Sequence, residues 1–283
     1  VKDVRGWKKP FKSTPAIDPD FVFKPEVLKT VLYAVSKPDK PIIFVGPTGS
    51  GKTSYYEQVC ARLNLPMRRM NLNGDITYSD FVGMTGLNGD QTKFKYGILP
   101  IAMKEGSTLI IDEFDAGHPS VTFAAQAVLE GKPLTINETG ETVKPHPDFR
   151  IMATANTRGS GDDSGMYAGT QPQNLATMNR FKLAKKVDYP DKRTEARILA
   201  RKTGVKNTDG LVDKLIEVAR LVRKAHLQEE IQATMSTRTL VNTAELLLDF
   251  GDVAEAYELS FLTLLSDDDV GVCKAIVQQV WGT

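Results

Sequence analysis

The chain has 283 residues, enough for one large domain or for one domain with a smaller companion. Charged residues make up 25% and apolar residues 41%, as is usual for globular proteins, and the formal net charge is only +1. This balance argues against a general attraction to nucleic acid or to an anionic membrane, and no apolar run is long enough to span a bilayer. The N-terminus has neither an initiator Met nor an apolar secretory core, so we expect a processed or trimmed cytoplasmic chain.

The first two thirds of the chain alternate between strand and helix patterns. Residues 1–19 are charged and weakly patterned, which is typical of an arm or linker. Apolar residues at helical spacing predict a helix over 25–36, and the run Ile42–Val45 predicts a buried strand before a helix over 54–63. The remaining patterns indicate strands at 67–72, 108–113, 149–155 and 181–189, a helix at 121–129, half a hairpin at 92–96, and a hairpin at 134–143 that turns near Gly140.

Strand patterns stop after Pro190, and five helices are predicted at 193–202, 211–225, 237–250, 253–265 and 271–280. We therefore expect an arm at 1–19, an α/β domain with a central parallel sheet flanked by helices at 20–190, and a small all-helical lid domain at 191–283.

Cysteine and histidine usage gives no sign of a metal centre. Cys60 and Cys273 are isolated in apolar helical patterns, which predicts buried free thiols in a reducing compartment. The three histidines, His118, His146 and His226, are scattered and lack the spacing of zinc ligands.

One motif predicts nucleotide binding. The stretch 46–53 fits G-x-x-x-x-G-K-[ST] and lies between a predicted strand and a predicted helix, the context of a P-loop. Its backbone N–H groups and the helix N-terminus favour phosphate, Lys52 can reach the β- and γ-phosphates, and the Thr53 hydroxyl can ligate Mg²⁺. The predicted ATP-binding residues are Gly46, Pro47, Thr48, Gly49, Ser50, Gly51, Lys52 and Thr53.

A second motif predicts hydrolysis of the bound ATP. The apolar run 109–111 ends in Asp112 and Glu113, the Walker B pattern. At the carboxyl end of a parallel strand, Asp112 can hold Mg²⁺ through water, and Glu113 can polarise the attacking water. Two solvated acids at a strand end are the alternative.

Three further polar residues are candidates for catalysis, and each has a structural alternative. Asn156 ends the next strand, where it would lie between the acids and the γ-phosphate or merely cap a turn. Arg180 precedes the last strand and could neutralise γ-phosphate charge in a neighbouring subunit or pair with a local acid. Arg238 follows Ser236 and Thr237 at a helix start, where it could reach the nucleotide or be a surface arginine behind an N-cap.

These five elements, in this order, resemble the AAA+ ATPases, in which the last three are named sensor 1, the arginine finger and sensor 2. Several short segments outside these general motifs, or extending them, are similar to the small-subunit family of aerobic cobaltochelatase, within the MoxR-like branch. The similar segments are 17–23, 112–119, 146–150, 153–157 and, most specifically, 161–171. The resemblance covers residues 17–190; beyond them it extends only to a general helical lid.

The resemblance implies a ring ATPase, usually hexameric, that acts with a von Willebrand A-like partner subunit on a large target subunit during cobalt insertion into a corrin precursor. Two other functions stay open: a MoxR-type chaperone that activates another enzyme, and a nucleic-acid-associated ring ATPase. By analogy with AAA+ rings, the segments 73–97 and 134–143 are candidate partner contacts, and Phe81 is either a pore residue or a core residue.

Overall fold

The computed structural model describes residues 4–88, 91–159, 161 and 169–282. Its contacts define two compact units. The α/β unit comprises Val1–Asp18, Pro25–Pro47 and Gly51–Val187, and the helical unit comprises Pro19–Lys24, Thr48–Ser50 and Asp188–Thr283. These units group residues by their contacts and are not continuous in sequence, and three P-loop residues fall in the helical unit. The domain limits at residues 19 and 190 therefore stay predictions.

A five-stranded parallel sheet forms the centre of the α/β unit. Its strands are β1 (Ile42–Val45), β2 (Met67–Asn71), β5 (Thr108–Asp112), β8 (Arg150–Ala155) and β9 (Leu183–Lys186). They lie in the order β2-β5-β8-β1-β9, and every neighbouring pair is parallel. Every residue of β5 and β8 is buried, which explains why both read as continuous apolar runs.

The strand order brings the predicted site residues to one edge. Strand β8 lies between β1, which leads into the P-loop, and β5, which ends at Asp112. In the register, Val45 pairs with Ala155, and Ile111 pairs with Ala153. Because parallel strands end at the same edge of a sheet, residues that follow β1, β5 and β8 meet where open α/β sheets bind ligands.

Seven helices belong to the α/β unit as described: α1 (Pro25–Ser36), α2 (Lys52–Arg62), α3 (Tyr78–Phe81), α4 (Ile98–Glu105), α5 (Pro119–Ala124), α6 (Gln126–Leu129) and α7 (Leu175–Met178). The single helix predicted over 121–129 is therefore two short helices. They are separated where the Ala125 amide bonds to the carbonyl of Thr122, a three-residue step that interrupts the α-helical ladder.

Two hairpins extend from the α/β unit. The first pairs β3 (Gly83–Asn88) with β4 (Gln91–Tyr96), and the second pairs β6 (Leu134–Thr135) with β7 (Thr142–Val143). The carboxylate of Glu138 joins them, because it accepts hydrogen bonds from the amide and the hydroxyl of Thr85 at 3.0 and 2.9 Å. The hairpin predicted over 134–143 is confirmed, and the half hairpin predicted at 92–96 is β4, whose partner strand β3 was not predicted.

The N-terminal segment is fixed along the α/β unit. The Trp7 amide donates to the Leu63 carbonyl at 2.9 Å, and the Met67 amide donates to the Ser13 carbonyl at 3.2 Å. Further along, the Asp18 amide donates to Oε1 of Gln58 at 2.8 Å. The weakly patterned arm therefore owes its position to backbone hydrogen bonds, which leave no periodic signal in a sequence.

Five helices form the helical unit, as predicted: α8 (Lys192–Thr203), α9 (Leu211–Leu227), α10 (Thr237–Phe250), α11 (Val253–Ser260) and α12 (Asp267–Trp281). Their apolar faces enclose a core of their own that includes Ile216, Leu240 and Tyr257. None of the helices in the described residues of either unit combines the length and the apolar character needed to cross a membrane.

Candidate active site

The P-loop wraps from the end of β1 to the start of α2, as the motif predicts. Helix α2 begins at Lys52, and Gly51 precedes it in the left-handed conformation at φ 87°. A Cβ atom at Gly46 would lie 2.1 Å from the carbonyl oxygen of Val187, so only glycine fits beside β9. The loop therefore places its backbone N–H groups at the N-terminus of an 11-residue helix, a site suited to phosphate.

The tip of the loop, Thr48–Ser50, makes its contacts within the helical unit. The Tyr189 hydroxyl donates to the Thr48 carbonyl at 3.0 Å. Gly49 has φ 69°, and a Cβ atom there would lie 2.5 Å from Cβ of Ser236. Ser50 is buried, and its hydroxyl has no hydrogen-bond partner among the described residues.

Lys52 lies at the centre of the site and is almost fully buried. Its ammonium group donates to the carbonyls of Gly46 and Pro47 at 2.7 and 2.9 Å, and to Oδ1 of Asn156 at 3.0 Å. Burial lowers the pKa of Lys52 to about 8, while Asp115, Asp112 and Glu113 oppose that shift. The predicted sensor residue therefore touches the P-loop lysine directly.

The Walker B aspartate is held by three side chains. Oδ1 of Asp112 accepts hydrogen bonds from the hydroxyls of Thr53 at 2.6 Å and Thr154 at 2.9 Å. Its other oxygen, Oδ2, contacts Nε of Arg69, and Nη1 of Arg69 donates to Glu57 at 3.1 Å. The sequence pattern did not indicate this contact of Arg69, because its partner is distant in sequence and is brought close only by the pairing of β2 with β5.

These oxygen donors suit Mg²⁺. Thr53 and Asp112 offer a hydroxyl and a carboxylate, the hard ligands that Mg²⁺ prefers, and the ion usually completes its shell with phosphate oxygens and water. Within the described part of the chain, no three His, Cys, Asp or Glu residues cluster as a metal site of their own.

Glu113 follows Asp112 in a backbone conformation that is uncommon for a non-glycine residue, at φ 52° and ψ 47°. Its amide donates to the hydroxyl of Thr154 at 3.2 Å, which fixes the turn. Among the described residues its carboxylate makes no hydrogen bond or ion pair. A partly exposed carboxylate without a partner, beside Asp112, is free to accept a proton from water.

Sequence reasoning also missed Asp115, which is fully buried three residues after the Walker B aspartate. Its Oδ2 accepts hydrogen bonds from the amide of Asn156 at 3.0 Å and from the amide and hydroxyl of Thr157 at 2.6 and 2.8 Å. The only signal available was a third acid in the run 112–115, which no general ATPase pattern requires.

Arg180 follows α7 and makes local contacts. Its Nε donates to Glu130 at 2.7 Å, and its Nη1 donates to the Ala176 carbonyl at 2.6 Å. The Arg180 side chain is 27% exposed. The local acid that the sequence left open as a partner is thus Glu130, while a role in a neighbouring subunit stays a prediction.

Arg238 is the second residue of α10 and is exposed. Ser236 caps this helix, because its side chain accepts from the Thr239 amide at 3.0 Å. The structure therefore contains the features of the alternative reading, an N-cap residue followed by a surface arginine. Arg238 itself has no hydrogen bond among the described residues, and its role at the nucleotide stays a prediction.

The pore role suggested for Phe81 is wrong, and the core alternative holds. Phe81 is 1% exposed and belongs to the core of the α/β unit. It ends the short helix α3, which begins with a capping box between Thr77 and Asp80. The exposed apolar residues of this segment are Met84 and Leu87 of the first hairpin. The family-specific stretch 161–171 lies mostly outside the described residues.

Comparisons with known proteins show which family the chain resembles. Two family models match the chain: the AAA domain of the dynein-related subfamily over residues 41–172 and the CbbQ/NirQ/NorQ C-terminal family over residues 195–280. The first spans the P-loop, the Walker B strand and Asn156, and the second spans Arg238.

Curated relatives cover most of the chain. The aerobic cobaltochelatase subunit CobS of a Sinorhizobium species is 36% identical over 276 residues, 95% of this chain and 83% of the relative. The denitrification regulatory protein NirQ of Pseudomonas aeruginosa is 30% identical and covers 82% of this chain and 85% of its own length. Protein CbbQ of Hydrogenophilus thermoluteolus is 29% identical over 81% of this chain and 82% of the relative.

Among solved structures, the RuvB Holliday junction branch migration motor of Thermotoga maritima matches with a TM-score of 0.54 at 13% identity. The match covers 91% of this chain and 74% of that one. At this identity the likeness shows a shared fold and carries no further argument.

Proposed function

The chain belongs to the MoxR-like branch of the AAA+ ATPases, enzymes that bind and hydrolyse ATP, and from that premise we propose that it works as a homo-oligomeric ring, of hexameric size, that remodels a partner protein. The observation that carries the proposal is a pair of neighbouring contacts at the start of α2, where Lys52 donates to Asn156 and Thr53 donates to Asp112. Sequence separations of 104 and 59 residues are closed there by two direct contacts.

Each residue has a distinct part in the proposed hydrolysis. The P-loop amides and Lys52 bind the phosphates, and Thr53 and Asp112 hold Mg²⁺, which neutralises phosphate charge when bound. Glu113 accepts the proton of the attacking water, since its carboxylate is free of other bonds. Asn156, fixed against Lys52, orients the γ-phosphate and the water.

Two arginines, Arg180 and Arg238, link the proposed hydrolysis to ring assembly and to the helical unit. Arg180 would act on the ATP of a neighbouring subunit, exchanging its bond with Glu130 for the γ-phosphate. Arg238 would contact the nucleotide from the start of α10, so that hydrolysis alters the helical unit. AAA+ proteins are typically oligomeric, and both roles require assembly or nucleotide to complete them.

Two processes are candidates for the work this ring performs. The first is the cobaltochelatase reaction, supported by 36% identity to CobS over 95% of the chain. It would require a von Willebrand A-like subunit and a large target subunit, in the cytoplasm where ATP is available. The second is a chaperone role toward another enzyme, supported by the match of residues 195–280 to the CbbQ/NirQ/NorQ C-terminal family.

The two hairpins are the proposed partner contact. Leu87 of the first hairpin is 84% exposed, and Met84 is 51% exposed. The bonds from Thr85 to Glu138 hold the first hairpin to the second, so force on one reaches the other. Exposed apolar side chains on a braced hairpin suit transient contact with a protein partner.

Capture with a Glu113→Gln variant tests the function. This variant should bind ATP and hydrolyse it at least ~100-fold more slowly, which prolongs the partner-bound state. Lys52→Ala, which lacks the phosphate-binding ammonium, is the control, and mass spectrometry compares the proteins that co-purify with each. Chelatase-type subunits enriched by Glu113→Gln support the first process, and a different enzyme supports the second. Nucleic acid without any protein would overturn both.

A further inference from the structure

The turn after β5 is fastened to the turn after β8 by one carboxylate. Asp115 is 0% exposed, and its Oδ2 accepts all three hydrogen bonds offered by Asn156 and Thr157. Two of the three donors are backbone amides, so the clamp fixes the path of the chain where Asn156 leaves the sheet. Hydrogen bonds to an ionised acceptor are shorter and stronger than neutral ones, which makes this a rigid connection.

The turn after β5 is also bonded to a later segment, residues 171–173. The Gln171 amide donates to the Asp115 carbonyl at 2.8 Å, and Nε2 of Gln173 donates to the Gly117 carbonyl at 2.9 Å. Gln173 is 5% exposed and accepts at Oε1 from the Thr122 hydroxyl at 3.0 Å. Residues 156–157 and 171–173 are thus both attached to residues 115–117.

This clamp lies one bond away from the P-loop lysine. Asn156 contacts Asp115 through its backbone amide and contacts Lys52 through Oδ1 of its side chain. A displacement of the Asn156 backbone would therefore move Oδ1 relative to Lys52. The other oxygen of Asp115, Oδ1, is buried without a hydrogen bond among the described residues, so Oδ2 alone carries the hydrogen bonds of this carboxylate.

We propose that Asp115 is a positioning residue for ATP hydrolysis, which holds Asn156 in register with Lys52 and with the Walker B acids on the neighbouring strand. The inference rests on the proposed role of Asn156. Asp115 acts through the backbone of residues 156–157, and its loss should slow the chemical step while leaving ATP binding in place. A misplacement on the order of 1 Å at such a residue can cost ~100-fold in rate.

The test is a double-mutant cycle on kcat. Asp115→Ala should lower kcat ~10- to 100-fold and change KM and fluorescent-ATP affinity less than ~3-fold. Asp115→Asn keeps an oxygen acceptor and should recover most of the rate. In an Asn156→Ala background, Asp115→Ala should lower kcat by less than ~3-fold more, because the two residues act as a unit. Asp148→Asn, an exposed carboxylate at the turn before β8, is the control.

The outcomes separate this inference from the proposed function. A normal kcat in Asn156→Ala would remove the catalytic role of Asn156 itself. The positioning role of Asp115 would be overturned if kcat falls in Asn156→Ala but stays normal in Asp115→Ala. It would also be overturned if the fold-loss of kcat in the double variant equals the product of the two single losses. If Asp115→Ala does not fold, Thr157→Val takes its place, because it removes the hydroxyl bond to Asp115 together with the bond that this hydroxyl accepts from the Gly159 amide. Thr157→Ser, which keeps both bonds, is the conservative partner.

Discussion

The hydroxyl of Thr53 donates to Oδ1 of Asp112 at 2.6 Å, so a direct hydrogen bond joins the P-loop helix to the Walker B strand. The same hydroxyl is the predicted Mg²⁺ ligand. Thr53→Val, which keeps the shape and removes the hydroxyl, should abolish most of the gain in ATP affinity that Mg²⁺ provides. Thr53→Ser should keep it. Fluorescent-ATP titration with Mg²⁺ and with a chelator measures the gain, and an undiminished gain in Thr53→Val would remove Thr53 from the metal site.

The burial of Phe81 yields a second prediction, with Leu87 as its matched comparison. Phe81→Ala should lower the free energy of unfolding by about 3–5 kcal/mol, because it opens a cavity in the α/β core. Leu87→Ala should change it by less than ~0.5 kcal/mol, because Leu87 is 84% exposed. Urea denaturation measures both. Leu87→Ala should also keep basal ATPase and lose the stimulation by a captured partner; equal stimulation in mutant and parent would rule out a partner contact there.

A buried ion pair in the helical unit yields a third prediction. Arg223 donates to both carboxylate oxygens of Glu195 at 3.1 and 2.8 Å, and Thr237 donates to the same carboxylate at 3.0 Å. The guanidinium also lies 4.1 Å from the ring centre of Tyr189. Glu195→Gln should cost about 3–5 kcal/mol, because it leaves a buried charge without a counterion. Combining it with Arg223→Met should cost less than the sum of the single changes, as chemical denaturation can measure.

A fourth prediction concerns the pH dependence of stability. Burial raises the pKa of Cys60 to about 12, above that of an unfolded thiol. The unfolded chain therefore loses this proton first, so the contribution of Cys60 is complete below about pH 9 and falls by about 1.4 kcal/mol per pH unit toward pH 12. The stability difference between the parent and Cys60→Ala should shrink from pH 9 to pH 10.5. A constant difference would show that the thiol titrates alike in both states.

The sequence sufficed for those parts of the site whose signals are local. Glycine spacing located the P-loop, and an apolar run ending in acids located Asp112, because each pattern lies within a few residues. A parallel sheet was expected from the alternating strand and helix patterns, whereas the strand order that brings Asn156 to Lys52 is known only from the structure.

Residues whose role depends on distant contacts were missed or misread. Asp115 and Arg69 contact partners that lie 42 and 43 residues away in the sequence. Phe81 lies in a polar, glycine-broken segment, and a four-residue helix is too short to show an apolar face. Its burial is decided by packing against the core of the α/β unit, which no local pattern records.

Arg180 provides the last prediction, since it separates a ring ATPase from a P-loop enzyme that works alone. If it acts on a neighbouring subunit, Arg180→Ala should keep ATP affinity within a few-fold and lower hydrolysis by roughly 10³ or more. Glu130→Gln is the matched control, because it removes the charge of the local partner that Arg180 contacts at 2.7 Å. A residue with only a local structural role would give equal losses in the two variants.

Mixing two inactive variants makes this prediction sharper. A ring that contains both Arg180→Ala and Lys52→Ala subunits can place an intact arginine beside an intact P-loop, which neither variant alone can do. Phosphate release should therefore return in the mixture, to a level set by the fraction of such neighbouring pairs. Native mass spectrometry would verify that the subunits have exchanged. If they have exchanged and the mixture stays inactive, Arg180 serves its own subunit through Glu130, and hydrolysis no longer requires the arginine of a neighbour.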